Sequence, residues 1–140
     1  MGLDTYAGRA PVDFFDPELD ETSVGEDFGC TRRDRWALRR AERRRRSRGG
    51  CLFAGNYFRG KVYADLIRFV TGVWIYRRWI PPETVRQMAD AFERVDPEPT
   101  IRRFGRSDSR IYDHGPDDVA DLAAFFAVCA SRGLGLVGSW

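Results

Sequence analysis

The chain has few of the residues from which catalytic and metal sites are usually built. Among 140 residues there is one histidine, His114, one lysine, Lys61, and three cysteines, Cys30, Cys51 and Cys129. No two cysteines form a C-x-x-C pair. A disulfide framework is therefore not expected, and neither are the closely spaced ligands of a structural zinc site. The three cysteines and His114 match a zinc set by number only, so no metal ligand is assigned. No apolar run approaches the ~18 residues of a membrane span. The opening MGLDTYAGRAPVDFF lacks the basic start and apolar stretch of a signal peptide. Gly2 is followed by Tyr6 where a myristoylation signal wants Ser or Thr. No nucleophile elbow or phosphate-cradling loop occurs, and the closing LGLVG does not match G-x-G-x-x-G. These absences lead to the expectation of a cytoplasmic protein with no membrane contact and no cofactor.

What the chain does have is arginine, unevenly distributed. All but one of its 23 basic residues are arginine. Compositional bias accounts for a choice of Arg over Lys, so the clustering carries the information. Residues 32–48, RRDRWALRRAERRRRSR, hold ten arginines against Asp34 and Glu42, a formal +8 in a chain whose net charge is +2. Residues 1–28 hold eight acids against Arg9, a formal −7. This charge division suggests three zones. Residues 1–30 are expected to form an acidic, disordered tail, because Pro, Gly and acids are frequent there and no periodicity is sustained. Residues 31–50 form an arginine-rich segment, and residues 51–140 a compact, mainly helical domain.

Within the basic zone Thr31 is a helix cap, Asp34 suits the first turn, and Gly49-Gly50 ends the helix. Trp36, Ala37, Leu38 and Ala41 make too narrow an apolar stripe to dock on a core. The repulsion of Arg43 to Arg46 makes helix formation there depend on a counter-charge. In the domain, Val62, Tyr63, Leu66, Ile67 and Val70 recur at helical spacing, stopped by Gly72. Pro81-Pro82 opens a second helix carrying Val85, Met88, Ala89, Phe92 and Val95, broken at Asp96-Pro97-Glu98-Pro99. Residues 100–115 read as a polar loop. A third helix runs from Pro116 to Gly133 with Val119, Leu122, Ala123, Phe126 and Cys129 on one face. Two short strands, residues 73–76 and 134–137, are expected and would pair with each other. The expected fold is thus mainly α: three core helices, one or two short strands and a charged N-terminal extension with an arginine-rich helix.

The basic zone is the leading functional candidate. Lys and Arg that neutralise phosphates release condensed counterions and give salt-sensitive binding. An arginine-rich helix of about 14 residues spans ~21 Å. Arg32, Arg33, Arg35, Arg39, Arg40, Arg43, Arg44, Arg45, Arg46 and Arg48 are the expected phosphate contacts, with Trp36 able to stack on an unpaired base. The expected function is non-catalytic binding of RNA or DNA. An acidic protein is an alternative partner, as is intramolecular pairing of residues 1–28 with residues 32–48. Secondary basic groups are Arg102, Arg103, Arg106 and Arg110, and Arg77 with Arg78 among Trp74, Tyr76 and Trp79. A second alternative is a protein-interaction module whose charged arm steers its partner. A third is a small enzyme centred on His114, with Cys51 or Cys129 as nucleophile.

Overall fold

The computed structural model describes residues 2–10, 28–106 and 112–140. In chain order these form β1 (Asp4–Gly8), α1 (Arg32–Arg46), β2 (Tyr57–Phe58), α2 (Gly60–Thr71), β3 (Trp79–Ile80), α3 (Pro82–Glu93), α4 (Pro97–Phe104), α5 (Pro116–Arg132) and β4 (Gly135–Ser139). The protein is a small α/β domain: among the described residues, five helices accompany a four-stranded antiparallel sheet of order β2-β1-β4-β3. The three expected core helices are present, as α2, α3 and α5.

The sheet departs from the expectation of one or two short strands. Residues 4–8, assigned to a disordered tail, form an interior strand paired on both sides, with β2 and along its whole length with β4. Residues 11–27 of that tail lie outside the described residues. The pairing expected between 73–76 and 134–137 does not form. Residues 73–76 are irregular, and β4 pairs instead with β1 and with β3.

Register fixes which side chains reach the core. Opposed residues in an antiparallel sheet share a face, and neighbours along a strand alternate. Phe58, Thr5, Ala7, Leu136 and Ile80 therefore point to one side, all buried. Tyr57, Tyr6, Val137 and Trp79 occupy the other, where Phe28 packs on Tyr6 at 4.9 Å.

The helices cover the first face. α5 packs against α1, α3 and α4, and its Phe125 and Phe126 form the centre of the core. Phe53 and Phe58 each meet Phe125 at 5.2 Å, and Phe92 meets Phe126 at 5.3 Å. Full burial of such a ring stabilises by roughly 1.5–3 kcal/mol. α2 begins close against β1. A Cβ at Gly60 would meet the Leu3 side chain at 2.8 Å as well as the Thr5 hydroxyl, so only glycine fits.

α4 is a further correction. The Asp96-Pro97-Glu98-Pro99 run does end α3, but it also starts a new helix within the expected loop. Both prolines fall in its first turn, where no backbone N–H is required, and Glu98 favours the helix N-terminus.

Candidate functional site

α1 forms from local signals. The Thr31 hydroxyl accepts from the Asp34 amide at 3.1 Å, while the Asp34 carboxylate accepts from the Thr31 amide at 2.8 Å. This capping box satisfies two of the helix's orphan donors. Arg43 to Arg46 occupy the last turn, where positive charge complements the helix C-terminus. Glu42 pairs with Arg46 at 3.2 Å, one turn apart.

The expectation that α1 could not dock on a core does not hold. Residues 34, 38, 41 and 45 recur at i, i+4, i+7 and i+11 and turn inward toward α5. Leu38 is fully buried and Ala41 packs against the core cluster. The two remaining members of the stripe are charged, which is why an apolar count missed it. Asp34 is 0% exposed and is bound by three groups besides its own cap. Arg9 forks onto it through Nε at 2.7 Å and Nη2 at 2.8 Å, and Arg132 Nε donates at 2.9 Å. Burial pushes the Asp34 carboxyl up, but the bonds from Arg9, Thr31 and Arg132 outweigh it and hold the group well below the usual carboxylate range.

Arg45 is the mirror case. Its side chain is 14% exposed and Nε donates to Asp121 at 2.6 Å, with Asp117 at 3.7 Å. Asp121 also accepts from the Leu52 amide at 3.1 Å. Burial raises the Asp121 carboxyl above its usual range despite Arg45. Arg45 is therefore a structural cation, and its expected role as a phosphate contact is corrected. The partner that occupies it lies 76 residues away, out of reach of local reading. Arg35 and Arg46 are also engaged, Arg35 with the Cys30 carbonyl at 3.3 Å and Arg46 with Glu42.

The opposite stripe has the same spacing shifted by two residues: 32, 36, 39 and 43. Arg32, Trp36, Arg39 and Arg43 are all exposed, as are Arg33, Arg40, Arg44 and Arg48. No acid among the described residues forms an ion pair with any of these seven arginines. The Arg40 guanidinium lies 5.2 Å from the centre of the Trp36 ring, which is 60% exposed. Arg32, Arg35, Trp36, Arg39, Arg40 and Arg43 line an open concavity of about 600 Å³. A neighbouring groove of about 350 Å³ runs between Arg35, Arg39 and Arg43 and the turn at Ala54, Gly55 and Asn56. Glu42 anchors that turn by accepting from the Gly55 amide at 2.7 Å. No local sequence signal joins Asn56 to α1.

Of the acidic residues expected to pair with the basic run, seven fall within residues 11–27, outside the described residues. Among the described residues the ion pair joining the two zones has inverted polarity. Arg9, the only base of the acidic zone, binds Asp34, one of two acids in the basic zone.

The secondary candidates are spread out. Arg102 and Arg103 are exposed on α4 and Arg106 just beyond it, while Arg110 lies outside the described residues. Trp74 and Tyr76 stack at 5.0 Å, Arg68 lies over Trp74 at 5.4 Å, and Tyr76 meets Trp140 at 6.3 Å. Arg77 and Arg78 are exposed nearby in sequence.

The cysteines and His114 do not converge. Cys30 and Cys129 are buried, and Cys51 is half-buried with its thiol pushed up by burial. The His114 side chain is 3% exposed, its Nδ1 lies 3.4 Å from Asp118, and its ring sits against Tyr63 and Phe104. Among the described residues no three His, Cys, Asp or Glu side chains group as metal ligands, and no helix is long and apolar enough to cross a membrane.

Comparison with known protein families, with characterised proteins and with solved structures finds no match to this chain in any of the three.

Proposed function

We propose that the protein binds nucleic acid without catalysis, through phosphate contacts made by the outer face of α1. The observation that carries this reading is the segregation of charge on a single helix. Asp34 and Arg45 turn inward to fixed partners, while Arg32, Arg33, Arg39, Arg40, Arg43 and Arg44 face solvent with no acid paired to them among the described residues. A rigid row of cations of this kind meets a polyanion with little reorganisation, and each phosphate it neutralises releases counterions. Phosphate contacts fix register without reading bases, so no sequence specificity follows.

The test is a salt titration of binding to generic duplex DNA and to RNA. With about five phosphates engaged, log K falls against log salt with a slope of about −4 to −5 on duplex DNA. No binding at 50 mM salt would sink the proposal.

A second reading has its own support. Trp74 and Trp140, 37% and 52% exposed, flank Tyr76 in a continuous aromatic row. Exposed aromatic surface of this kind is typical of protein-binding sites. On that reading α1 steers an acidic partner toward the row, and W74A/W140A would abolish a protein contact while leaving nucleic-acid affinity unchanged. The catalytic alternative has less support, because a thiol raised by burial is a poor nucleophile at neutral pH.

A further inference from the structure

Trp36 is the most exposed large apolar side chain among the described residues, and it lies in the middle of the cationic stripe. Phosphate binding does not account for it, since an indole adds no charge. We infer that the outer face of α1 takes single-stranded nucleic acid, with one unpaired base stacked on Trp36 and the flanking phosphates against Arg32, Arg39 and Arg43.

Three observations support this occupant. First, the ring forms part of a concavity of about 600 Å³ whose other walls are arginines, which joins an apolar platform to a cationic rim. Stacking platforms beside a positive track are how proteins bind single strands without reading sequence. Second, the Arg40 guanidinium lies over the ring at 5.2 Å. A planar, delocalised group is therefore already accommodated beside the indole, and a base is a larger group of the same shape. Third, residues 32, 36, 39 and 43 share one face, so cations flank the ring on both sides along the helix axis, over about 16 Å from first to last.

A duplex offers the ring little, because its bases are stacked on one another. An acidic peptide satisfies the arginines but leaves the indole without a planar partner. The inference rests on the reading of α1 as a phosphate-binding face, and it adds the strandedness of the ligand.

The experiment uses the full chain with W36A, W36F and R39A/R43A variants. Each is titrated by fluorescence anisotropy against labelled oligo(dT), a duplex of equal charge, heparin and a glutamate-rich peptide, with circular dichroism to verify the fold. W36A should weaken oligo(dT) binding about tenfold and leave its salt slope, duplex affinity and heparin affinity unchanged. W36F should restore most of the loss. R39A/R43A should weaken binding to every polyanion and flatten the salt slope.

An unchanged oligo(dT) affinity in W36A overturns the inference. An equal loss on duplex or heparin also overturns it, because the ring would then act on charge or fold. A Trp36-dependent complex with the acidic peptide would make the face a protein site and overturn it as well. If R39A/R43A changes nothing, the phosphate reading fails whatever Trp36 does. If the arginines matter and Trp36 does not, the stacking inference fails alone.

Discussion

Arg43 and Arg45 stand two residues apart on α1 and do different work. Arg45 lies against α5, its guanidinium bound to Asp121 and close to Asp117. Arg43 faces solvent in a row with Arg32, Trp36 and Arg39. The same contrast separates the helix's two faces. The inner one uses one acid and one base as fixed pins around Leu38, and the outer one gathers unpaired cations. A residue type in a charged run therefore says little about its role. The helical phase and a distant partner decide whether an arginine builds the fold or is left for a ligand.

Substitutions on the two faces can break this comparison. The largest effect is expected for Asp34→Ala. It leaves Arg9 and Arg132 without their shared carboxylate and removes the capping box of α1. Breaking a buried pair costs about 3–5 kcal/mol, or roughly 10 °C in melting temperature for a chain of this size. A loss below 1 kcal/mol by urea unfolding would show that the inner face is not structural. Leu38→Ala should follow at about 2–5 kcal/mol, the range for a fully buried leucine. Arg45→Ala strands the buried Asp121 carboxylate and should destabilise by about 3 kcal/mol.

The two pinned acids should also differ in pH dependence. Asp34 has its folded value depressed below the unfolded one. Its contribution is complete above the ordinary carboxylate range near pH 4 and is lost as pH falls through and below that range. Asp121 has its folded value raised, so its ionised form opposes folding and protonation relieves that cost as pH falls. Urea unfolding between pH 7 and pH 3 should show a shallower acid loss in D34N than in the parent and a steeper one in D121N. Parallel curves would refute the contrast.

The smallest stability effect belongs to the outer face. R39A/R43A should change stability by less than about 0.5 kcal/mol. It should still reduce the salt slope on duplex DNA by about 2, because two phosphate contacts are removed. Loss of the fold in that variant would erase the distinction between the faces.

Much of the helical part was readable locally. Thr31 with Asp34, Gly72, Pro81-Pro82 and Gly133 mark helix ends through chemistry confined to a few residues. The sheet was not readable. β2 and β3 are two residues long, and β1 is stable only because β4, more than 120 residues later, pairs with it. Acidic surroundings made residues 4–8 look like solvated tail, so removing residues 1–28 to test charge pairing would also remove an interior strand. On the candidate site, the clustering of arginines was evident, but the inward turn of Arg45 and the approach of Asn56 depend on tertiary contacts.

The grip of Arg9 and Arg132 on Asp34 also bears on association kinetics. The arginine run by itself suggests a segment that orders only when counter-charge arrives, and such coupled ordering consumes about 2–5 kcal/mol of interaction energy. Here the first turn of α1 is tied to the segment after β1 and to the end of α5, so the helix stands assembled in the free protein. Encounter with a polyanion then becomes a rigid-body event. Its rate should be set by electrostatic steering and ionic strength, and its heat-capacity change should be small, because no new apolar core forms as the complex does.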